Sequence, residues 1–156
     1  MSTVHEPTTR TSVRPIPDET VIAEPRGGDG AGGTMLRVLG ALAVLAVGAV
    51  HLEQYFAVHF AVVPVIGPLF ALNLAGAVAI ALGLVLPPLA RLRVLLALGG
   101  MALAVTSAVF FFISEHRPLF GFEDYGYRPA IVAALAAEAA TVVLLGGYLG
   151  LRARSR

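Results

Sequence analysis

Cysteine, lysine and tryptophan are missing from this 156-residue chain, and acidic residues are scarce over most of its length. Without a thiol there is no disulfide, no thiolate metal site and no thiol redox chemistry, which removes the four-helix quinone-linked thiol oxidoreductases from consideration. Without lysine, all eleven basic residues are arginine. Together with the excess of Ala, Val, Leu and Gly, this reads as GC-rich coding bias and carries no mechanistic weight. Half of the ten acidic residues (Glu6, Asp18, Glu19, Glu24 and Asp29) fall in the first 34 positions, leaving long uncharged runs behind them. A formal net charge of +1 gives no ground for a nucleic-acid partner.

What the chain has instead is apolar bulk. It is 57% hydrophobic and 13% charged, with mean hydropathy +0.82, well beyond a soluble domain, so the lipid bilayer is its expected surroundings. Residues 1–34 differ from the rest. Pro7, Pro15, Pro17 and Pro25, the Gly27-Gly28-Asp29-Gly30 run and Gly32-Gly33 leave no hydrophobic face, and a disordered cytoplasmic tail is expected there. Its Arg14-Pro15-Ile16-Pro17 stretch reads as a solvated spacer, with a docking motif as the alternative.

Four apolar spans follow: Leu36 to Phe56, Val65 to Leu86, Val94 to Ile113 and Ala130 to Leu149. Each is near the ~20 residues that a helix needs to cross a bilayer. Pro64, Pro68, Pro87, Pro88, Pro118 and Pro129 punctuate the joints. Gly48 and Ala49 follow the first apolar core as in a signal peptide, but the long, partly acidic leader and the apolar run after Gln54 speak against cleavage. The expected fold class is all-α, an antiparallel bundle of four transmembrane helices over residues 35–151, with a short basic cytoplasmic tail at 152–156.

Nine arginines lie in the first 34 residues, the joint between spans two and three, the start of span one and the C-terminus; only Arg117 and Arg128 lie on the other side. The positive-inside rule then puts both termini in the cytoplasm of a bacterium and the spans in its plasma membrane. Small residues recur every four positions: Ala71, Ala75, Ala79 and Gly83 in span two, Gly100, Ala104 and Ala108 in span three, Ala133, Ala137 and Thr141 in span four. Such stripes let helix backbones approach closely, within the bundle or in a homo-oligomer or larger membrane complex.

Each span also carries one polar residue at a similar depth. His51 is 14 residues past Arg37, Asn73 is 14 before Pro87, Ser107 is 14 past Arg93 and Glu138 is 14 before Arg152, with Thr106 beside Ser107. At about 1.5 Å per residue, each lies roughly 21 Å into a hydrocarbon core about 30 Å thick. Glu138 is the first of these candidates, because a carboxylate at that depth costs several kcal/mol unless it is neutral, bonded or facing the bundle interior. Its simplest partners are Asn73 or His51, as glue between helices; a proton- or ligand-handling role is the alternative. Asn73 is expected to bond across helices, whereas Ser107 or Thr106 can bond back to a carbonyl one turn earlier.

His51, Tyr55 and His59 follow at i, i+4 and i+8 and share one face if the first helix continues that far. With Glu115, His116, Glu123 and Asp124 on the outer side they supply nitrogen and oxygen ligands for a metal, although no His-x3-His or Glu-x-x-His pair supports it. Glu53 points away from His51, toward Arg117 or Arg128. No cofactor is implied, and no catalytic set stands out.

The run His51-Leu52, Tyr55, Pro64, Ile66-Gly67, Leu69-Phe70 and Leu72-Asn73, with Pro118-Leu119-Phe120-Gly121-Phe122-Glu123, resembles a group of small, uncharacterised four-helix membrane proteins of actinobacteria, from about Leu36 to Gly150. The resemblance implies the same topology and supplies no activity. Two functional readings follow. The first is a non-enzymatic membrane component or accessory subunit whose polar layer specifies helix packing. The second is a proton-coupled small-solute transporter or ligand-binding protein that uses Glu138, and a membrane enzyme built on the outer-face His and carboxylates stands third.

Overall fold

The computed structural model describes residues 29–57, 59–121, 123 and 126–155. Four helices make up nearly all of this: α1 (Ala31–Ala57), α2 (Ile66–Val85), α3 (Arg93–Ser114) and α4 (Pro129–Arg154). Short 3-10 turns occupy Phe60–Val62 and Pro87–Leu92, and no strand occurs among the described residues. All four helices are long and apolar enough to cross a membrane, so the chain is a multi-pass membrane protein.

Proline sets the joints. Leu86 is extended at φ −70°, ψ 129°, as a residue before proline must be, and α2 ends there. Pro129 stands in the first turn of α4, where a missing N–H costs nothing.

The bundle is a closed ring. α1 packs on α2 and α4, α3 completes the circuit, and α1 and α3 scarcely meet across the diagonal. Its tightest packing lies toward the end that carries Arg37, Arg93 and Arg152, where Val44, Ala77, Ala81, Leu84, Ala97, Leu145 and Tyr148 are buried together. Glycine makes this approach possible. A Cβ on Gly48 would stand 2.8 Å from that of Ala77, and one on Gly100 would stand 2.9 Å from Leu145 Cδ1. Outward faces are apolar too, with Leu72, Leu95 and Val143 each exposed by 66% or more, a surface suited to lipid rather than water.

The small-residue stripes are used unevenly. Gly100 and Ala104 are buried and Ala108 half-buried, but on α2 only Gly83 turns inward, while Ala71, Ala75 and Ala79 face outward. On α4 Thr141 is buried and Ala133 exposed. In α2 the close approach at Gly48 and Ala77 sets which face turns in, and it lies off the i+4 stripe.

Helix ends correct the expected boundaries. α1 starts at Ala31 and α4 runs to Arg154, so residues 31–34 and Arg152 belong to helices, not to tails. Asp29 holds the start of α1 in place through contacts described below. The tail expected over residues 1–28 lies outside the described residues.

The joint after α1 is tightly wound. His59 takes φ 61°, ψ 25°, and Val65 takes φ 66°, ψ −48°. The Ile66 N–H donates to Pro64 O at 2.8 Å, which makes Val65 the centre of a γ-turn of the rare, strained hand. A β-branched residue is poorly suited to that geometry, and Val65 is 45% exposed, so little packing compensates. Val65→Gly should therefore stabilise the protein by about 1 kcal/mol, after relief of backbone strain is set against added freedom in the unfolded chain. The denaturation midpoint in detergent checks this; a lowered midpoint would show that the valine side chain matters more than the turn.

Candidate functional site

The polar residues of the four spans converge on one cavity of about 430 Å3 in the half of the bundle away from the arginine-rich end. His51 comes from α1, Asn73 from α2, Thr106 and Ser107 from α3 and Glu138 from α4. Equal depth in sequence becomes convergence in space because antiparallel helices share one rise per residue. Apolar side chains form most of the remaining wall, and Phe60 and Leu119 carry it to the far end of the bundle.

Hydrogen bonding divides these residues. Asn73 Nδ2 donates to Ser107 Oγ at 2.6 Å, a bond between α2 and α3. Asn73 therefore bonds across helices as expected, while Ser107 takes this partner instead of bonding back to its own helix. His51 Nδ1 lies 2.9 Å from the Val47 carbonyl, which can only accept, so this nitrogen carries the proton. In the neutral ring Nε2 is then an acceptor, and the ring packs on Phe70 with centroids 4.9 Å apart.

Glu138 departs from its simplest expectation. It bonds neither to Asn73, whose amide donates to Ser107, nor to His51, whose Nδ1–H is held by the Val47 carbonyl, and no hydrogen bond reaches its carboxyl among the described residues. Glu138 Oε2 and Asn73 Oδ1 are both buried without a partner. Thr141, one turn on, is turned to its own helix, donating to Ala137 O at 2.8 Å. The cavity wall thus carries the Glu138 carboxyl and the His51 imidazole, with the Asn73 amide and the Thr106 and Ser107 hydroxyls beside them.

Sequence reasoning missed two buried polar residues of this wall. Gln54 accepts a hydrogen bond from Arg128 Nη2 at 3.4 Å, and Ser114 donates to Phe111 O at 2.8 Å. Arg128 also lies over the Phe60 ring, 5.8 Å from its centroid. Arg128 thus reaches Gln54, not its neighbour Glu53, which is exposed. The spacing of His51 and Gln54 at i, i+3 could have revealed Gln54, since it places both on one helix face.

The other candidates stay apart. Tyr55 packs edge-on against Phe56, centroids 5.0 Å apart, and His59 is exposed beyond the end of α1. His116 Nδ1 donates to Phe112 O at 2.8 Å, Glu115 accepts from the Tyr127 hydroxyl at 3.2 Å, and Glu123 is exposed. Desolvation, then the Glu115 carboxylate, push the Tyr127 phenol above its ordinary value, so it remains a donor throughout the physiological pH range. Asp124 lies outside the described residues. Among the described residues no three His, Asp or Glu side chains gather as a metal site would require, so the outer-face ligands do not converge.

A second polar cluster, also missed, closes the arginine-rich end. The Asp29 carboxylate receives Arg37 Nε at 3.0 Å, Arg93 Nη1 at 3.4 Å and Arg152 Nη1 at 2.7 Å. The Tyr148 hydroxyl donates to it at 3.3 Å, and Arg37 Nη1 donates to the Leu84 carbonyl at the end of α2. Gly33 lets the aspartate lie against α1, where a Cβ would stand 3.3 Å from that of Asp29.

Fold and site together define a multi-pass membrane protein with four helices among the described residues and a largely apolar cavity inside the bundle, edged by a few polar side chains. No protein-family model, curated protein or solved structure matches the chain.

Proposed function

We propose that this is a ligand-binding membrane protein whose cavity receives a mostly apolar molecule carrying a cationic or hydrogen-bond-donating group. The observation that carries this is the Glu138 carboxyl, placed on the cavity wall with no protein donor. Buried acceptors left open are costly, and a ligand donor offsets that cost. A volume near 430 Å3 suits a small molecule. Packing of Val44, Ala77, Leu84, Leu145 and Tyr148 between the cavity and the arginine-rich end favours binding over free passage.

A packing role for part of the layer is supported by the Asn73–Ser107 bond, which ties α2 to α3. That role and ligand binding are compatible. On arginine bias we place the protein in a bacterial plasma membrane with both ends of the chain cytoplasmic.

The test uses full-length protein in lipid nanodiscs and a graded set of aryl- and alkyl-ammonium ions against matching carboxylates. The expected result is that ammonium ions perturb the carboxyl infrared band that is absent in Glu138→Gln, and bind that variant about tenfold or more weakly. A band indifferent to every member of the set would overturn the proposal.

A further inference from the structure

We propose that the arginine-rich end holds an oxyanion site for a phosphate group, with Arg93 and Arg152 as its edge and Asp29 as a tethered carboxylate filling its inner half. The argument starts from charge. Three guanidinium groups, always protonated, surround one carboxylate, which leaves a surplus of two positive charges among the described residues of the cluster. A phosphate monoester carries about −1.5 to −2 at pH 7, which matches that surplus.

Geometry gives the same direction of approach. Asp29 and Arg37 side chains are closed off, at 3% and 9% exposure, whereas Arg93 and Arg152 retain 16% and 29%. An incoming anion therefore meets Arg93 and Arg152 first. On both, Nη1 alone is engaged among the described residues, so the Nη2 donors of each guanidinium are left over after bonding Asp29. Planar, multi-donor arginine is the side chain best suited to phosphate oxygens. Arginines from three helices converge here; on arginine bias this end faces the cytoplasmic headgroups, and a headgroup and free phosphate present the same chemistry.

The experiment takes full-length protein purified in detergent and measures retained lipid by native mass spectrometry, offering phosphatidic acid against phosphatidylcholine, with inorganic phosphate as competitor. The expected result is about a tenfold preference for phosphatidic acid in the wild type, lost in Arg93→Gln/Arg152→Gln and kept in Arg91→Gln/Arg154→Gln, which removes exposed arginines of the same end. Millimolar phosphate that leaves the preference intact assigns the site to a headgroup; phosphate that abolishes it and by itself raises the denaturation midpoint assigns it to the free ion. Absence of any preference or phosphate-dependent midpoint in the wild type overturns the proposal whatever the variants do. Equal loss of preference in the Arg91/Arg154 control overturns it too, because general surface charge would then be the cause. In Asp29→Asn the site opens, and the midpoint becomes more phosphate-dependent than in the wild type.

Discussion

Asp29→Ala is expected to lower stability by about 3 kcal/mol, far more than an exposed ion pair would. Removal of the carboxylate leaves Arg37, Arg93 and Arg152 facing one another, with Tyr148, itself fully buried, deprived of its acceptor. Breaking a buried ion network costs about 3–5 kcal/mol, and the partial exposure of Arg93 and Arg152 argues for the lower figure. Arg93→Gln should cost about 1 kcal/mol or less, since that pair is the longest of the three at 3.4 Å. The comparison is made by denaturant titration in mixed micelles without added phosphate. A loss under ~1 kcal/mol for Asp29→Ala would mean that water already screens the arginines.

Glu138→Leu should change stability in the opposite direction, by about 1–2 kcal/mol in favour of the variant. The carboxyl is buried and receives no hydrogen bond, so leucine of similar length removes an unmet polar group and adds apolar contact. Glutamate acting as glue between helices would give the reverse sign, because its removal would strand a partner. A destabilised Glu138→Leu therefore refutes the open-acceptor description of the cavity. The two readings of the layer part here: stability rises while ammonium binding is lost, or both fall together.

Much of the bundle was legible because bilayer physics allows few solutions. Long apolar runs bounded by proline fixed the helices to within a few residues, and equal depth of His51, Asn73, Ser107 and Glu138 anticipated their meeting in one cavity. Partnership was not legible. Depth is a one-dimensional quantity, and it could not tell that Asn73 would choose Ser107 and leave Glu138 open, since that depends on the rotation of each helix. Rotation also explains the α2 stripe, where Ala71, Ala75 and Ala79 share spacing with Gly83 but face outward.

The arginine cluster was hidden by composition. Asp29 stands in a Gly-rich run that reads as spacer, yet Arg37, Arg93 and Arg152, which served as rulers for depth, necessarily lie at one level of an antiparallel bundle. Three cations at one level call for an anion, and that signal was available. Among the described residues the outer-face His and carboxylates do not gather, for the opposite reason, because loops carry no common register.

Asp29 and Arg152 are 123 positions apart, yet their side chains touch. At about 5–20 residues per second, roughly 6–25 s of synthesis separate the appearance of the two. During that interval Asp29, just ahead of α1, already has Arg37, and it gains Arg93 when the third helix arrives, but the carboxylate oxygen that takes Arg152 has no partner until the fourth helix is made. The contact thus works as a clasp that only the fourth helix can fasten, and a chain halted after three helices would carry an unfastened end.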